Sequence, residues 1–170
     1  MLNNNSQHRP LDLICLGRVA VDLYAEQIGS RLEDVASFAK YLGGSSGNMA
    51  YGTARLGLKS AMLSRVGDEQ MGSFVREELE RVGVDTSALQ TDPERHTGLV
   101  LLALKDRESF PLLFYRRDCA DMAIDADAID PDFIARAKAL AITGTHLSTD
   151  IPRRACRKAL DAAAHHGVKR

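Results

Sequence analysis

Apolar runs alternate with amphipathic stretches along most of the chain. The compact apolar runs predict strands buried on both faces, at 11–17, 60–67 and 138–144. Apolar positions at helical spacing predict helices at 47–56, 68–83 and 150–167, and a short helix opens at Asp130 with Pro131 in its first turn. Strands that alternate with helices in this way predict an α/β fold, a parallel sheet flanked by helices.

Two segments do not fit that parallel sheet, 19–41 and 97–116. In the first, Val19, Val21 and Leu23 alternate with less apolar residues, so that Asp22 points away from the apolar side. In the second, two apolar runs flank the polar stretch "DRES", which predicts a hairpin. Together the two segments predict a small accessory β-sheet, an element suited to form a lid.

Composition and charge limit the possible partners. With 170 residues and 45% hydrophobic content, the chain fits one domain, and its formal charge of −1 provides no basic surface for nucleic acid or an anionic membrane. A small molecule is therefore the expected ligand. Residues 1–10 lack the apolar core of a signal peptide and are predicted to be disordered. Cys15, Cys119 and Cys156 are too scattered for a disulfide framework and indicate reduced thiols in a cytoplasmic protein.

The stretch "YLGGSSGNMAYGTARLG", 41–57, places glycines, serines and an asparagine before a predicted helix. It is compatible with a phosphate cradle, a sugar site or a tight turn that Asn48 caps. No G-x-G-x-x-G follows the first strand, and Asn48-Met49 stands where a Walker A loop has Lys and Ser or Thr. Gly43 and Gly44 would let the backbone approach a ligand closely, and the Asn48 amide both donates and accepts, which suits hydroxyl groups.

From Leu11 onward the chain resembles the N-terminal half of the ribokinase-like (PfkB) carbohydrate kinases. The stretches "CLGRVAVD", "GGSSGNMAYGTARLG" and "SRVGDEQMG" carry the resemblance, in that order. The resemblance implies a ribokinase-like parallel sheet with a small β lid at about 19–41 and 97–116. It also implies that sugar hydroxyls are bound by Asp22, Gly43, Gly44 and Asn48.

The stretch "FYRRDCADMAID" resembles the segment with which kinases of keto-deoxy sugar acids hold their substrate. The resemblance implies that Tyr115 and Arg116 bind a sugar acid, since a guanidinium can pair with both oxygens of a carboxylate. Neighbouring strand residues face opposite ways, so only one of Arg116 and Arg117 can enter the site, and Arg116 is favoured.

In this family the aspartate base, the glycine-rich segment that holds ATP and the Asn-x-x-Glu associated with magnesium belong to the later half. No catalytic, cofactor-binding or metal residue is therefore expected in this chain, which is predicted to be truncated and inactive alone. ATP and Mg²⁺ are the expected cofactors of the whole protein, and a homodimer through the lid strands is expected because open sheet edges invite pairing.

Alternatives from other classes stay open. The chain could be a non-catalytic sugar-binding module or part of a kinase for a neutral sugar, of the fructokinase or ribokinase type. A nucleotide-binding oxidoreductase is disfavoured by the missing glycine motif. Among other polar residues, Asp68 is predicted to cap the following helix, and His146, His165 and His166 are interpreted as ordinary surface or helix-end residues.

Overall fold

A computed structural model describes residues 9–106 and 108–170 and contains two four-stranded sheets. The strands are β1 (Leu11–Leu16), β2 (Ala20–Ala25), β3 (Phe38–Gly43), β4 (Ser60–Gly67), β5 (Leu89–Asp92), β6 (Leu99–Leu102), β7 (Leu112–Tyr115) and β8 (Ala137–Ile142). The α-helices are α1 (Ser45–Arg55), α2 (Gln70–Arg81), α3 (Pro131–Ala135) and α4 (Asp150–His165).

The main sheet has the strand order β5-β4-β1-β8, and all of its strand pairs are parallel. Side chains of β1 alternate between two cores, with Ile14 and Leu16 on one face and Leu13 and Cys15 on the other. The first core includes residues of α3 and α4, and the second includes residues of α1 and α2. Burial on both faces explains the continuous apolar run and confirms the predicted α/β sheet flanked by helices.

The second sheet has the order β3-β2-β6-β7. Strand β2 pairs antiparallel with β3 and parallel with β6, and β6 and β7 form the predicted antiparallel hairpin. All four strands come from the two segments that the sequence sets apart, apart from the last residues of β3. That this sheet covers a bound substrate stays a prediction.

The structure corrects two predictions about where helices begin and which residue caps them. Helix α1 begins at Ser45 rather than at 47, and its N-cap is Gly44. The prediction that Asp68 caps α2 is wrong, because the cap is Glu69, whose carboxylate accepts hydrogen bonds from the amides of Met71 and Gly72 at 2.6 and 3.1 Å. An extended backbone at Glu69 lets its longer side chain turn back onto these amides.

The predicted start of a short helix at Asp130 is confirmed, since Asp130 is the N-cap of α3 and its side chain accepts from the Asp132 amide at 2.9 Å. One strand, β5, was not predicted at all. Beyond α4, Lys169 forms an isolated parallel bridge with Ala139 of β8.

The first described residues contact the main sheet, and the three cysteines are buried. Of the segment predicted to be disordered, residues 1–8 lie outside the described residues, and Arg9 donates to the Ala137 carbonyl at 2.6 Å. Cys15, Cys119 and Cys156 are free and buried. Within the described ranges, no helix combines the length and apolar character that crossing a membrane requires.

Candidate functional site

An open cavity of about 410 Å³ lies where β2, β3 and α1 meet. Its walls include Asp22 and Asn48, together with Tyr24, Tyr41 and Leu42. The antiparallel register of β2 and β3 sets Asp22 opposite Tyr41, and the rings of Tyr24 and Tyr41 meet edge to face at 5.5 Å. Two of the residues predicted to bind sugar therefore share one cavity with aromatic walls.

Asp22 carries an unsatisfied acceptor. Its Oδ1 atom is buried and has no hydrogen-bond partner among the described residues. Burial raises the pKa of the Asp22 carboxyl, and the nearby charge of Arg18 opposes that rise. A buried acceptor without a partner costs about 1–3 kcal/mol. A ligand hydroxyl that donates to this oxygen would remove that cost.

Gly43 and Gly44 allow close approaches within the protein itself. A Cβ atom at Gly43 would collide with the Asp22 carboxylate, so only glycine lets this carboxylate lie against the β3 backbone. Gly44 has φ +87°, and a Cβ there would lie 2.6 Å from the carbonyl oxygen of Arg18. Both glycines thus shape the wall around Asp22, and their contact with a substrate stays a prediction.

The first amides of α1 are already occupied. The Arg18 carbonyl oxygen accepts from the amides of Ser46 and Gly47 at 3.2 and 3.1 Å. This arrangement speaks against a phosphate cradle at the helix start, since those donors are not free. Asn48 is exposed, and its side chain makes no hydrogen bond to the residues that the structure describes. Its amide is therefore not a local cap and is available to a ligand.

A buried ion pair lies behind the end of β7. The Nε and Nη2 atoms of Arg116 donate to Oδ2 of Asp121 at 3.3 and 2.9 Å, and the side chains are 19% and 1% exposed, respectively. Arg116 follows the last residue of β7, and Arg117 is exposed. Asp121 was not among the predicted site residues, although it lies in the quoted stretch "FYRRDCADMAID". Its role appears only when Arg116 folds back over it.

Tyr115 and Arg116 line a second cavity, of about 530 Å³. Tyr115 is 57% exposed, and it directly follows Phe114, which contacts Arg18. Alternation along β7 turns neighbouring side chains to opposite faces of the sheet. The structure therefore brings Arg116 into the neighbourhood of Arg18 and leaves Tyr115 with no hydrogen bond from its hydroxyl to a described residue.

Arg18 links the two groups of residues. Its guanidinium lies over the Phe114 ring, 5.4 Å from the centroid, and it is close enough to Asp22, Arg116 and Asp121 for their charges to act on it. Burial, and then the like charge of Arg116, lower the pKa of Arg18. Arg18 lies in the quoted stretch "CLGRVAVD", but no pattern in the sequence distinguishes it from other arginines.

The interpretation of His146 as a surface residue is wrong. His146 follows β8 in a short 3₁₀ turn, is completely buried, and neither ring nitrogen has a partner among the described residues. His165 ends α4 and His166 follows it, as predicted. Within the described ranges, no cluster of three or more His, Cys, Asp or Glu side chains is arranged to hold a metal ion.

Comparisons with known proteins support the carbohydrate-kinase resemblance. The family model described as "pfkB family carbohydrate kinase" matches residues 11–170. The chain is 43% identical to the 5-dehydro-2-deoxygluconokinase of Geobacillus kaustophilus, over 95% of this chain and 49% of that protein. It spans about half the length of the curated relatives that it matches.

Two solved structures show the same fold. The uncharacterized sugar kinase PH1459 from Pyrococcus horikoshii, in complex with ATP, is 32% identical with a TM-score of 0.81, over 89% of this chain and 49% of that one. The fructokinase of Halothermothrix orenii is 29% identical with a TM-score of 0.81, over 92% of this chain and 55% of that one. The predicted ribokinase-like fold is thereby confirmed.

Proposed function

The chain belongs to the PfkB family of carbohydrate kinases, and we propose that its complete gene product transfers a phosphoryl group from ATP to 5-dehydro-2-deoxygluconate, a keto-deoxy sugar acid of inositol breakdown. This chain supplies the sugar-binding part. The observation that carries the proposal is the buried, unpartnered Oδ1 of Asp22 in a cavity shared with Asn48. The names of the relatives support the choice of sugar acid.

The two polar residues of the cavity divide the recognition of hydroxyl groups. The ionised carboxylate of Asp22 accepts hydrogens from sugar hydroxyls, and such charge-assisted bonds contribute about 1.5–3 kcal/mol each. Asn48 adds one acceptor and two donors on an exposed amide. Gly43 and Gly44 leave room for the Asp22 carboxylate and the Arg18 backbone, and so keep Asp22 in place for a substrate.

The positively charged residues of the site bind the acid group of the substrate in this proposal. Asp121 holds Arg116 in one orientation, so that Nη1 stays available to an anion, and Tyr115 lines the same cavity. A substrate carboxylate near the guanidinium groups of Arg116 and Arg18 would make the acid bind more tightly than a neutral sugar. A kinase for a neutral sugar is the second candidate, because hydroxyl binding by Asp22 and Asn48 suits either class and the fructokinase has the same fold.

ATP and Mg²⁺ are the proposed cofactors, and the structure of PH1459 with ATP supports the nucleotide. Their role is to supply the phosphoryl group and to neutralise charge during its transfer. No residue of this chain is assigned to either cofactor. This chain binds and orients the acceptor sugar, and the hydroxyl-binding residues fix where the attacking oxygen lies.

The proposal is tested with Asp22→Asn in the complete gene product. We expect a loss of about 10- to 100-fold in kcat/KM for 5-dehydro-2-deoxygluconate, because the neutral amide accepts hydroxyl hydrogens more weakly. Asp68→Asn, at an exposed carboxylate outside the cavity, is the matched control and should leave kcat/KM unchanged. ADP release measures both variants.

The same assay separates the alternatives. Wild-type turnover of fructose or ribose at a higher kcat/KM than the acid would favour the neutral-sugar kinase. Calorimetric binding of the acid without ADP release would favour a non-catalytic sugar-binding module. An Asp22→Asn variant as active as wild type would refute the assignment of the cavity.

A further inference from the structure

Arg18 is a half-buried cation without a counter-ion in contact. Its Nε atom is buried and has no hydrogen-bond partner, and the side chain makes no ion pair within the part of the chain that the structure describes. The charged groups close enough to influence it are Asp22, Arg116 and Asp121. A guanidinium that gives up water without gaining an acceptor is costly. The site is therefore short of one anionic acceptor at Arg18.

Neither of the two neighbouring carboxylates, Asp22 and Asp121, is in contact with the Arg18 guanidinium. Arg116 donates to Oδ2 of Asp121 through Nε and Nη2 at 3.3 and 2.9 Å, and the Oδ1 atoms of Asp121 and Asp22 are buried and accept no hydrogen bond from Arg18. The positive charge of Arg116 repels Arg18, and the charges of Asp121 and Asp22 attract it without direct contact. An incoming anion would relieve both the missing hydrogen bonds and this repulsion.

The Arg18 side chain is also held in position before any ligand arrives. Its carbonyl oxygen accepts from the amides of Ser46 and Gly47 at the start of α1, which fixes the backbone. Its guanidinium lies over the Phe114 ring at 5.4 Å, which fixes the far end. A preorganised fork loses little conformational entropy when it binds a carboxylate.

We propose that Arg18 is the residue that binds the carboxylate of the sugar acid through two N–H groups of its fork, while Arg116 adds a second positive charge nearby. This inference rests on the proposed function. Asp22, whose charge acts on Arg18, takes the hydroxyl groups of the same substrate molecule. Selection of an acid over a neutral sugar then depends on Arg18 more than on Arg116.

The experiment compares two ligands in the complete gene product. One is 5-dehydro-2-deoxygluconate, and the other is the analogue in which a hydroxymethyl group replaces the carboxylate. For Arg18→Gln we expect a loss of about 100-fold in kcat/KM for the acid and little change for the analogue, because only the acid uses the fork. Arg18→Lys keeps the charge but not the fork and should lose about 10-fold with the acid.

Arg157→Gln is the matched control, because it removes an exposed arginine of α4 that lines neither of the two cavities. It should leave the preference for the acid intact. The melting temperature of Arg18→Gln should equal or exceed that of wild type, since the substitution removes an uncompensated cation. A large fall in the melting temperature of both Arg18 variants would show that the Arg18 side chain stabilises the fold, and would overturn the inference.

The remaining outcomes separate the two proposals. If wild type does not prefer the acid to its analogue, the proposed sugar-acid function fails, and this inference fails with it. If wild type prefers the acid and Arg18→Gln keeps that preference, the inference alone fails. A raised KM for ATP with an unchanged KM for the acid would show that Arg18 binds the phosphates of the nucleotide, and would also overturn it.

Discussion

At the scale of single residues, burial changes the chemistry of His146. Burial lowers the pKa of this imidazole from 6.5 to about 4, while Asp121 raises it and Arg116 lowers it by smaller amounts. The ring is therefore neutral in the folded protein at neutral pH. Its nitrogens have no partner among the described residues, so the side chain acts there as an apolar filler beside the Arg116–Asp121 pair.

Lowering the pH should destabilise the fold through His146. Between pH 6.5 and about 4 the unfolded chain binds a proton at this residue and the folded chain does not, so the free energy of unfolding falls as the pH drops through that window. The full effect is about 3 kcal/mol. Urea unfolding at about pH 7.5 and about pH 4.5 should show wild type losing more stability than His146→Leu.

The control for this prediction is His165→Gln, at an exposed histidine in the last turn of α4. It should keep the pH dependence of wild type. His146→Leu should also be close to wild type in stability at about pH 7.5, because it removes nitrogens that make no hydrogen bond to the described residues. Identical pH profiles for wild type and His146→Leu would contradict the assignment.

At the scale of elements, the junction of β3 and α1 depends on Gly44. An alanine there would hold a strained φ of +87° and press its Cβ to 2.6 Å from the Arg18 carbonyl oxygen. We expect Gly44→Ala to lower the free energy of unfolding by about 2 kcal/mol or more. Because it also displaces the Arg18 backbone, the affinity for the sugar acid should fall as well.

Gly52→Ala in the middle of α1 is the matched control. A Cβ at this position meets nothing within 4 Å outside the helix, and alanine is the better helix former. It should raise the free energy of unfolding by about 0.5–1 kcal/mol and leave ligand binding unchanged. Urea denaturation and calorimetric titration measure both variants. A Gly44→Ala protein as stable as Gly52→Ala would show that the junction tolerates a side chain.

The elements also explain which parts of the fold the sequence could predict. Strands β1 and β4 are continuous apolar runs because both faces of a central parallel strand are buried. Strand β5 is short, and Gln90 and Thr91 interrupt its apolar character, so periodicity does not reveal it. The choice of Glu69 over Asp68 as a cap depends on backbone angles that the sequence pattern does not contain.

The same distinction applies to the site, where local motifs could be predicted and contacts between distant segments could not. Asp22 and Asn48 could be found from short motifs, because β2, β3 and α1 are consecutive or nearly so in the chain. The contact between Arg18 and Phe114 joins residues far apart in sequence, as does the burial of His146 beside Asp121. Single-sequence patterns report local structure, so pairings that arise only when the second sheet packs beside the first stay hidden from them.

At the scale of the whole molecule, the outer strand of the second sheet is unusually apolar for an exposed element. The four residues of β7, Leu112 to Tyr115, are between 43% and 57% exposed, and β7 pairs only with β6 within the described residues. An apolar edge strand of this kind is a template for pairing with another chain. A second copy of the protein is the proposed partner, with the two β7 edges facing each other.

We therefore expect the protein to be a dimer at micromolar concentration and Leu113→Lys to convert it to a monomer. A lysine on this edge places like charges opposite each other across the two-fold axis of the dimer. Leu113 and Phe114 face opposite sides of the sheet, so the side that contacts Arg18 is left untouched.

Leu56→Lys is the matched control, because Leu56 is 85% exposed at the end of α1, outside both sheets. Light scattering should report a dimer for wild type and for Leu56→Lys. A monomeric wild type, or a Leu113→Lys variant that stays dimeric, would move the interface away from β7 and leave its apolar surface to contacts with other parts of the complete gene product.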